Sequence, residues 1–278
     1  MHKPTVLFGA LLAAACGQDA GDRAPPCVSC GYSDAQGSGG TGGGDAEPPD
    51  AGPCEPNPAA GVTITGVVTQ LVELTWPTKN AAYEGRAAVD FTGAPCGRAI
   101  ASFDGSQADG GAATFTAVGV LQTGDHWFGV RPHPDETSVV GSILQANTDG
   151  DKDYPAGVTV VPVADLDAVY AGAGLTRDPS LATVLILLME GSAIGLSPAL
   201  GAEINFPGGT LAYEASGWGP TGGTGARGIV FALNVEAAEF PGENVTFSER
   251  LSDGTSGDEF GFRVAAGYVS IVRAVGSF

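Results

Sequence analysis

The tightest group of residues with chemistry to offer is Asn147-x-Asp149-x-Asp151-x-Asp153. Oxygen-bearing side chains on alternate residues, with Gly150 permitting tight winding, suit a hard cation such as Ca2+, which binds through several oxygen ligands at once. The EF-hand pattern is incomplete, because Lys152 stands at its glycine position and Val158 at its closing glutamate. The set reads either as a structural Ca2+ site between domains or as a solvated acidic linker. No other cofactor is required.

Nucleophilic catalysis of the Ser–His–Asp kind needs an imidazole base, and beyond His2 the chain offers His126 and His133. Gly141-Ser142-Ile143 lacks the glycine spacing of a nucleophile elbow. His126 precedes Trp127 and Phe128 and reads as a strand residue, while His133, Asp135 and Glu136 beside Pro132 and Pro134 read as a rigid polar turn. The run Gly217–Gly225 lacks the Gly-Lys-Ser/Thr ending of a phosphate loop and reads as a hairpin or long loop. Within it, Trp218 is the candidate for stacking on a sugar or another protein. Paired carboxylates for glycoside hydrolysis are defined by spatial separation and leave no linear signature. The expectation is a protein without catalytic residues, with an envelope hydrolase using paired carboxylates as an alternative.

Five cysteines are present. With Cys16 set apart, Cys27, Cys30, Cys54 and Cys96 make an even number, as in exported chains that form disulfides. The expected pairs are Cys27–Cys30, a small loop, and Cys54–Cys96, fastening the end of the first segment to the first domain; a redox or metal half-site and unpaired thiols are the alternatives.

These residues sit in a chain of 278 with 44 Gly and 19 Pro, in which 31 Asp and Glu face 12 Lys and Arg for a net charge of −19. Nucleic-acid affinity comes mainly from cations neutralising phosphates, so this balance excludes a nucleic-acid partner. At about 150 residues per domain the length permits two. From Gly17 to Pro58 the chain is mostly Gly, Ser, Pro, Ala, Asp and Glu, including Gly37–Gly44, and buries too little apolar surface to offset its ordering entropy. It reads as a tether with a reach of roughly 35 Å.

Beyond the tether, short β-type runs alternate with Gly, Pro, Asn and Asp turns. They are Val62–Val68, Arg86–Phe91, Ala113–Val120, His126–Val130 and Val139–Leu144, then Val158–Val161, Ala182–Met189, Ala202–Phe206, Gly228–Val235, Asn244–Phe247 and Val269–Val272. The apolar run 184–189 is too short to span a bilayer and reads as a strand buried on both faces. One short helix is expected over Asp165–Gly172, with Asp165 as its cap. Gly85–Gly93 resembles Gly201–Gly208 in alternation, and Ala113–Val120 resembles Gly228–Val235, which suggests two copies of one sandwich.

The chain's first residues are basic at His2 and Lys3, then apolar from Val6 to Ala15, and end Leu12-Ala13-Ala14-Ala15-Cys16-Gly17. This resembles the lipobox of bacterial lipoproteins, although Leu12 lies four residues before the cysteine rather than three. The resemblance implies cleavage before Cys16, acylation of its sulfur and an outer-membrane location. An ordinary signal peptide cut at Ala-x-Ala is the alternative. Further on, Asp178–Gly191 and Leu200–Phe206 resemble the opening of carboxypeptidase-regulatory-like, transthyretin-like domains, which implies a seven-stranded sandwich used as a non-catalytic module.

The expected organisation is thus all-β: signal peptide 1–15, tether 16–58, sandwich 59–146, acidic linker 147–155 and a second Ig-like or transthyretin-like sandwich 156–278. The expected role is binding or structural display at the cell envelope, with the membrane as partner through the lipid and envelope proteins or glycans as others. A Ca2+-dependent carbohydrate-binding or adhesion module is the first alternative.

Overall fold

The computed structural model describes residues 61–74, 80–91, 98–101, 111–120, 126–146, 150–192, 195–250 and 256–276. In chain order the strands are β1 (Val62–Leu71), β2 (Asn80–Ala82), β3 (Ala87–Phe91), β4 (Arg98–Ala101), β5 (Ala113–Val120), β6 (His126–Pro132), β7 (Val139–Val140), β8 (Ser142–Ala146) and β9 (Lys152–Pro162). Helix α1 (Val163–Gly172) follows, then β10 (Ala182–Ser192), β11 (Gly195–Pro198), β12 (Glu203–Asn205), β13 (Thr210–Tyr213), β14 (Ile229–Val235), β15 (Glu243–Arg250), β16 (Ser256–Val264) and β17 (Val269–Gly276). The fold is all-β, as expected, and each expected run holds strand residues; β5 has the expected bounds, whereas Val139–Leu144, expected as one strand, is divided between β7 and β8.

The strands form three sheets. A nine-stranded sheet runs β13-β14-β10-β17-β8-β6-β3-β4 with β11 on β10. A five-stranded sheet runs β2-β1-β9-β7 with β5 on β1, and a three-stranded sheet runs β12-β15-β16. Alternate residues of β10 enter two cores. Leu185 and Leu187 join Phe128, Phe231, Ile64, Phe115 and Val160, between the nine-stranded sheet and the five-stranded sheet with α1. Val184, Ile186 and Leu188 join Trp127, Val272, Ile204, Phe247 and Phe262, between the nine-stranded and three-stranded sheets. The nine-stranded sheet is therefore the middle layer, covered on both faces.

Strand patterns follow from the layers. On β5, in an outer sheet, buried Ala113, Phe115 and Ala117 alternate with exposed Thr114, Thr116 and Val118. On β10, residues 182–188 are all buried, because the strand lies between β17, its parallel neighbour, and β14, with a core above and below. Continuous apolar sequence is what parallel strands covered on both faces require. Gly228, at φ +67, leads into β14 against the Leu188 carbonyl, where a Cβ would collide.

Three expectations change. The boundary placed at 147–155 falls partly inside β9, whose Lys152–Tyr154 pair in parallel with Ile64–Gly66 of β1. The two halves also share the middle sheet, because β17 pairs in parallel with β8 through Val269↔Ser142 and Ser270↔Ile143. The proposed repeats are not equivalent in space, since β3 and β14 lie in the middle sheet whereas β12 and β5 lie in opposite outer sheets. Finally, α1 starts at Val163 and Asp165 does not cap it. Pro162 occupies the N-cap at φ −59, ψ 132 while its backbone is still paired with Val139 on β7, so the strand runs straight into the helix.

A shared middle sheet predicts one cooperative unfolding transition for the folded region, and Leu185→Ala should lower its stability as a whole by about 2–5 kcal/mol. Differential scanning calorimetry checks both. Two peaks, with only the later half shifted by Leu185→Ala, would show instead that the halves fold independently.

Candidate functional site

Of the proposed cation ligands, Asn147 and Asp149 lie outside the described residues, as do Cys16, Cys27, Cys30, Cys54 and Cys96. Asp151 and Asp153 are exposed and engaged with β1. The Asp151 carboxylate accepts the Thr63 backbone N–H at 2.7 Å, and the Asp153 carboxylate accepts the Thr65 hydroxyl at 2.9 Å. Both bonds fasten the entry of β9 to β1. Among the described residues, no three His, Cys, Asp or Glu side chains gather as a metal cluster.

Trp218 is not an open stacking platform. It has φ +74, and its half-buried ring meets Phe231 edge-on at a centroid distance of 5.5 Å and covers Gly172 at the end of α1. The turn that carries it is held by the Trp218 N–H to Tyr213 carbonyl bond, 2.9 Å. An aromatic ring committed to core packing presents little face to a ligand.

The histidines take structural positions. His126 is buried on β6. His133 Nδ1 lies 3.3 Å from the Asp135 carboxylate in a turn closed by the Glu136 N–H to His133 carbonyl bond. That turn lines a cleft of about 320 Å3 together with Arg131, Glu136, Arg177 and Tyr268. Its cations are matched locally: Arg131 lies 3.7 Å from Asp90, and Arg177 lies 3.3 Å from Asp167. The cleft therefore offers no net positive field for an anion.

Buried polar contacts that the sequence did not announce join the layers. The Tyr170 hydroxyl contacts the Thr183 hydroxyl at 2.8 Å and accepts the Asn234 N–H at 3.1 Å, tying α1 to β10 and β14. The Tyr213 hydroxyl accepts the Ile204 N–H at 3.0 Å, tying β13 to β12, and burial raises its pKa. Arg227 meets the Glu214 carboxylate through its side chain and its backbone N–H, and its other arm donates to the Glu73 carbonyl just beyond β1. Asp165 is raised above the usual carboxylate range by burial and then by the nearby Glu73 charge.

A shallow trough of about 340 Å3 lies on the three-stranded sheet, lined by Asn205, Phe206, Pro207, Thr246, Phe247, Ser248 and Glu259. Asn205 on β12, Ser248 on β15 and Glu259 on β16 are direct cross-strand neighbours and form one polar row across all three strands. Thr246 stands in the parallel row opposite Gly261. The Asn205 amide donates to the hydroxyls of Ser256, 3.2 Å, and Ser248, 3.5 Å.

No family model matches the chain, and no curated protein sequence matches it. Among solved structures, the minor pilin GBS52 of Streptococcus agalactiae aligns over 78% of this chain and 95% of its own, at 11% identity and a TM-score of 0.23. A leucine-rich repeat protein from Bacteroides thetaiotaomicron aligns over 79% and 26%, at 8% identity and a TM-score of 0.23. The shaft pilin SpaA of Lactobacillus rhamnosus GG, as a D295N mutant, aligns over 78% and 98%, at 12% identity and a TM-score of 0.19. Superpositions this loose do not assign a role.

Two outcomes are expected from the polar contacts. Arg227→Ala leaves Glu214 half-buried without its partner and should cost about 1–3 kcal/mol in urea unfolding; an unchanged midpoint would mean that the arm contributes nothing. Burial, with the Glu136 charge second, pushes Tyr83 up to about 12. Its neutral form is favoured in the folded state, so its contribution is fully present below pH 10, the unfolded value, and is lost as pH rises toward 12. Absorbance titration near 295 nm should show a tyrosine ionising with a midpoint near 12 that Tyr83→Phe removes.

Proposed function

We propose that this chain is a lipid-anchored cell-envelope protein whose folded region binds or displays rather than catalyses. The observation that carries the proposal is the apolar run ending Leu12-Ala13-Ala14-Ala15-Cys16, followed by a glycine- and proline-rich stretch that reads as a tether. One acyl chain gives only marginal attachment, whereas the several chains of a lipoprotein cysteine hold lastingly. Gly17 after the cysteine favours the outer membrane over the inner one, by analogy with enteric sorting.

The folded region supports a display role by how its ionisable groups are used. Glu214, Asp151, Asp153, Arg131 and Arg177 each fasten one part of the scaffold to another. Among the described residues, no helix is long and apolar enough to cross a membrane. The lipid is thus the proposed means of attachment.

Expression of the full chain in an outer-membrane host with radiolabelled palmitate tests the anchor. Label should enter the wild type, disappear in Cys16→Ala, and leave with that variant from the membrane to the soluble fraction. Equal labelling of Cys16→Ala protein would refute the anchor.

A further inference from the structure

We propose that the trough on the three-stranded sheet is a binding site for a neutral saccharide. The inference deepens the binding role proposed above but does not depend on lipidation. β15 is the middle strand, and its small Ser248 and Thr246 form the floor. Asn205, Phe206 and Pro207 form one wall and Glu259 the other. Adjacent strands lie about 4.8 Å apart, so the walls stand roughly 10 Å from each other, wide enough for one sugar ring lying over the floor.

The polar groups are of the right kind and have capacity to spare. The Asn205 carbonyl oxygen, the Thr246 hydroxyl and the Glu259 carboxylate make no hydrogen bond with any described residue. Ser248 is 8% exposed, and its hydroxyl receives only the long contact from Asn205. An amide oxygen and a carboxylate accept, and two hydroxyls both donate and accept, which matches the alternating donors and acceptors of adjacent sugar hydroxyls. Pro207, exposed beside the half-buried Phe206, supplies apolar surface for the C–H face of a ring.

Gly261 gives a second, independent indication. It lies within β16 opposite Thr246, one of the residues that line the trough, and is exposed. A Cβ added there would find one neighbour, the Thr246 methyl, at 3.9 Å. Packing does not require glycine at this position, and glycine inside a strand weakens it. Its effect is to leave the space beside Thr246 unfilled. The lining charge is Glu259, and the chain carries −19 overall, so a neutral ligand fits where an anionic one is repelled.

The test uses the full chain in detergent and isothermal titration with maltose, cellobiose and N,N′-diacetylchitobiose, with a sulfated heparin disaccharide as the anionic control. At least one neutral disaccharide should bind saturably while the heparin disaccharide does not. Gly261→Leu, which sets a bulky side chain beside Thr246 on the exposed face, and Thr246→Val should each weaken that binding tenfold or more with an unchanged thermal midpoint. Failure of all three neutral sugars to bind, equal binding of the sulfated sugar, or affinity unaffected by Gly261→Leu overturns the proposal. Because the lipid plays no part in this titration, Cys16→Ala protein should bind as the wild type does, which separates failure of the trough from failure of the anchor.

Discussion

The structure depends on covering one sheet twice. Strand β10 carries apolar side chains on successive residues, so each of its faces must be removed from water by a different layer. Burying a valine, leucine or isoleucine is worth roughly 1.5–3 kcal/mol, and residues 184–188 provide five such side chains in a row. One face takes the five-stranded sheet and α1; the other takes the three-stranded sheet. Neither half of the chain supplies both covers alone. β1 to β8 come before the acidic stretch, while the helix and the three-stranded sheet come after it. Chain order and spatial layers are thus interleaved, and the parallel contact of β17 with β8 is where they meet.

Layers joined only by apolar packing could slide, because hydrophobic attraction has no direction. Hydrogen bonds between layers remove that freedom. Tyr170, reaching from α1 to Thr183 and Asn234, sets the helix against the middle sheet. Tyr213 holds β12 by its backbone, and Arg227 links Glu214 to the turn after β1. Each contact satisfies polar groups that would otherwise be costly to bury, so together they define register more than they add stability. The Ser142 hydroxyl acts likewise, donating to the Thr159 carbonyl on β9 from the neighbouring layer.

The strands were legible because their periodicity reports burial. Alternation marked β1, β3 and β5, and the unbroken apolar run marked β10 as covered on both faces. What escaped was information that periodicity does not carry. β16 reads Ser-Gly-Asp-Glu-Phe-Gly-Phe-Arg-Val, where two glycines and two acids conceal a strand with Phe260 stacked on Phe247 across the ladder. β9 is legible only in its apolar second half, because its first residues, Lys152 and Asp153, are polar and pair with β1 through the backbone ladder and the Thr65–Asp153 side-chain bond. The site was read less well than the fold. Trp218 looked available because nothing linear announces that Phe231 lies beside it, and the trough arises only when Asn205, Ser248 and Glu259, far apart in sequence, align across three strands. Gly261 had a linear signal in hindsight: a lone glycine between two phenylalanines of a strand.

The charge imbalance also gains a structural meaning. Few cations are present, and several work inside the fold: Arg227 on Glu214, Arg177 on Asp167, Arg131 on Asp90, and Arg250 3.7 Å from Glu203. Each such pair removes a carboxylate from the surface excess but also removes a positive group that a partner might have used. With 31 acids against 12 cations the net field is negative, and it weakens over roughly 10 Å at moderate ionic strength. A negative surface that close to anionic headgroups is repelled. The sequence from 17 to 58 adds to the excess, since Asp19, Asp22, Asp34, Asp45, Glu47, Asp50 and Glu55 face Arg23 alone. For the lipid anchor proposed above, this field opposes approach to anionic headgroups, so attachment would rest on acyl chains, whose burial in hydrocarbon charge does not oppose.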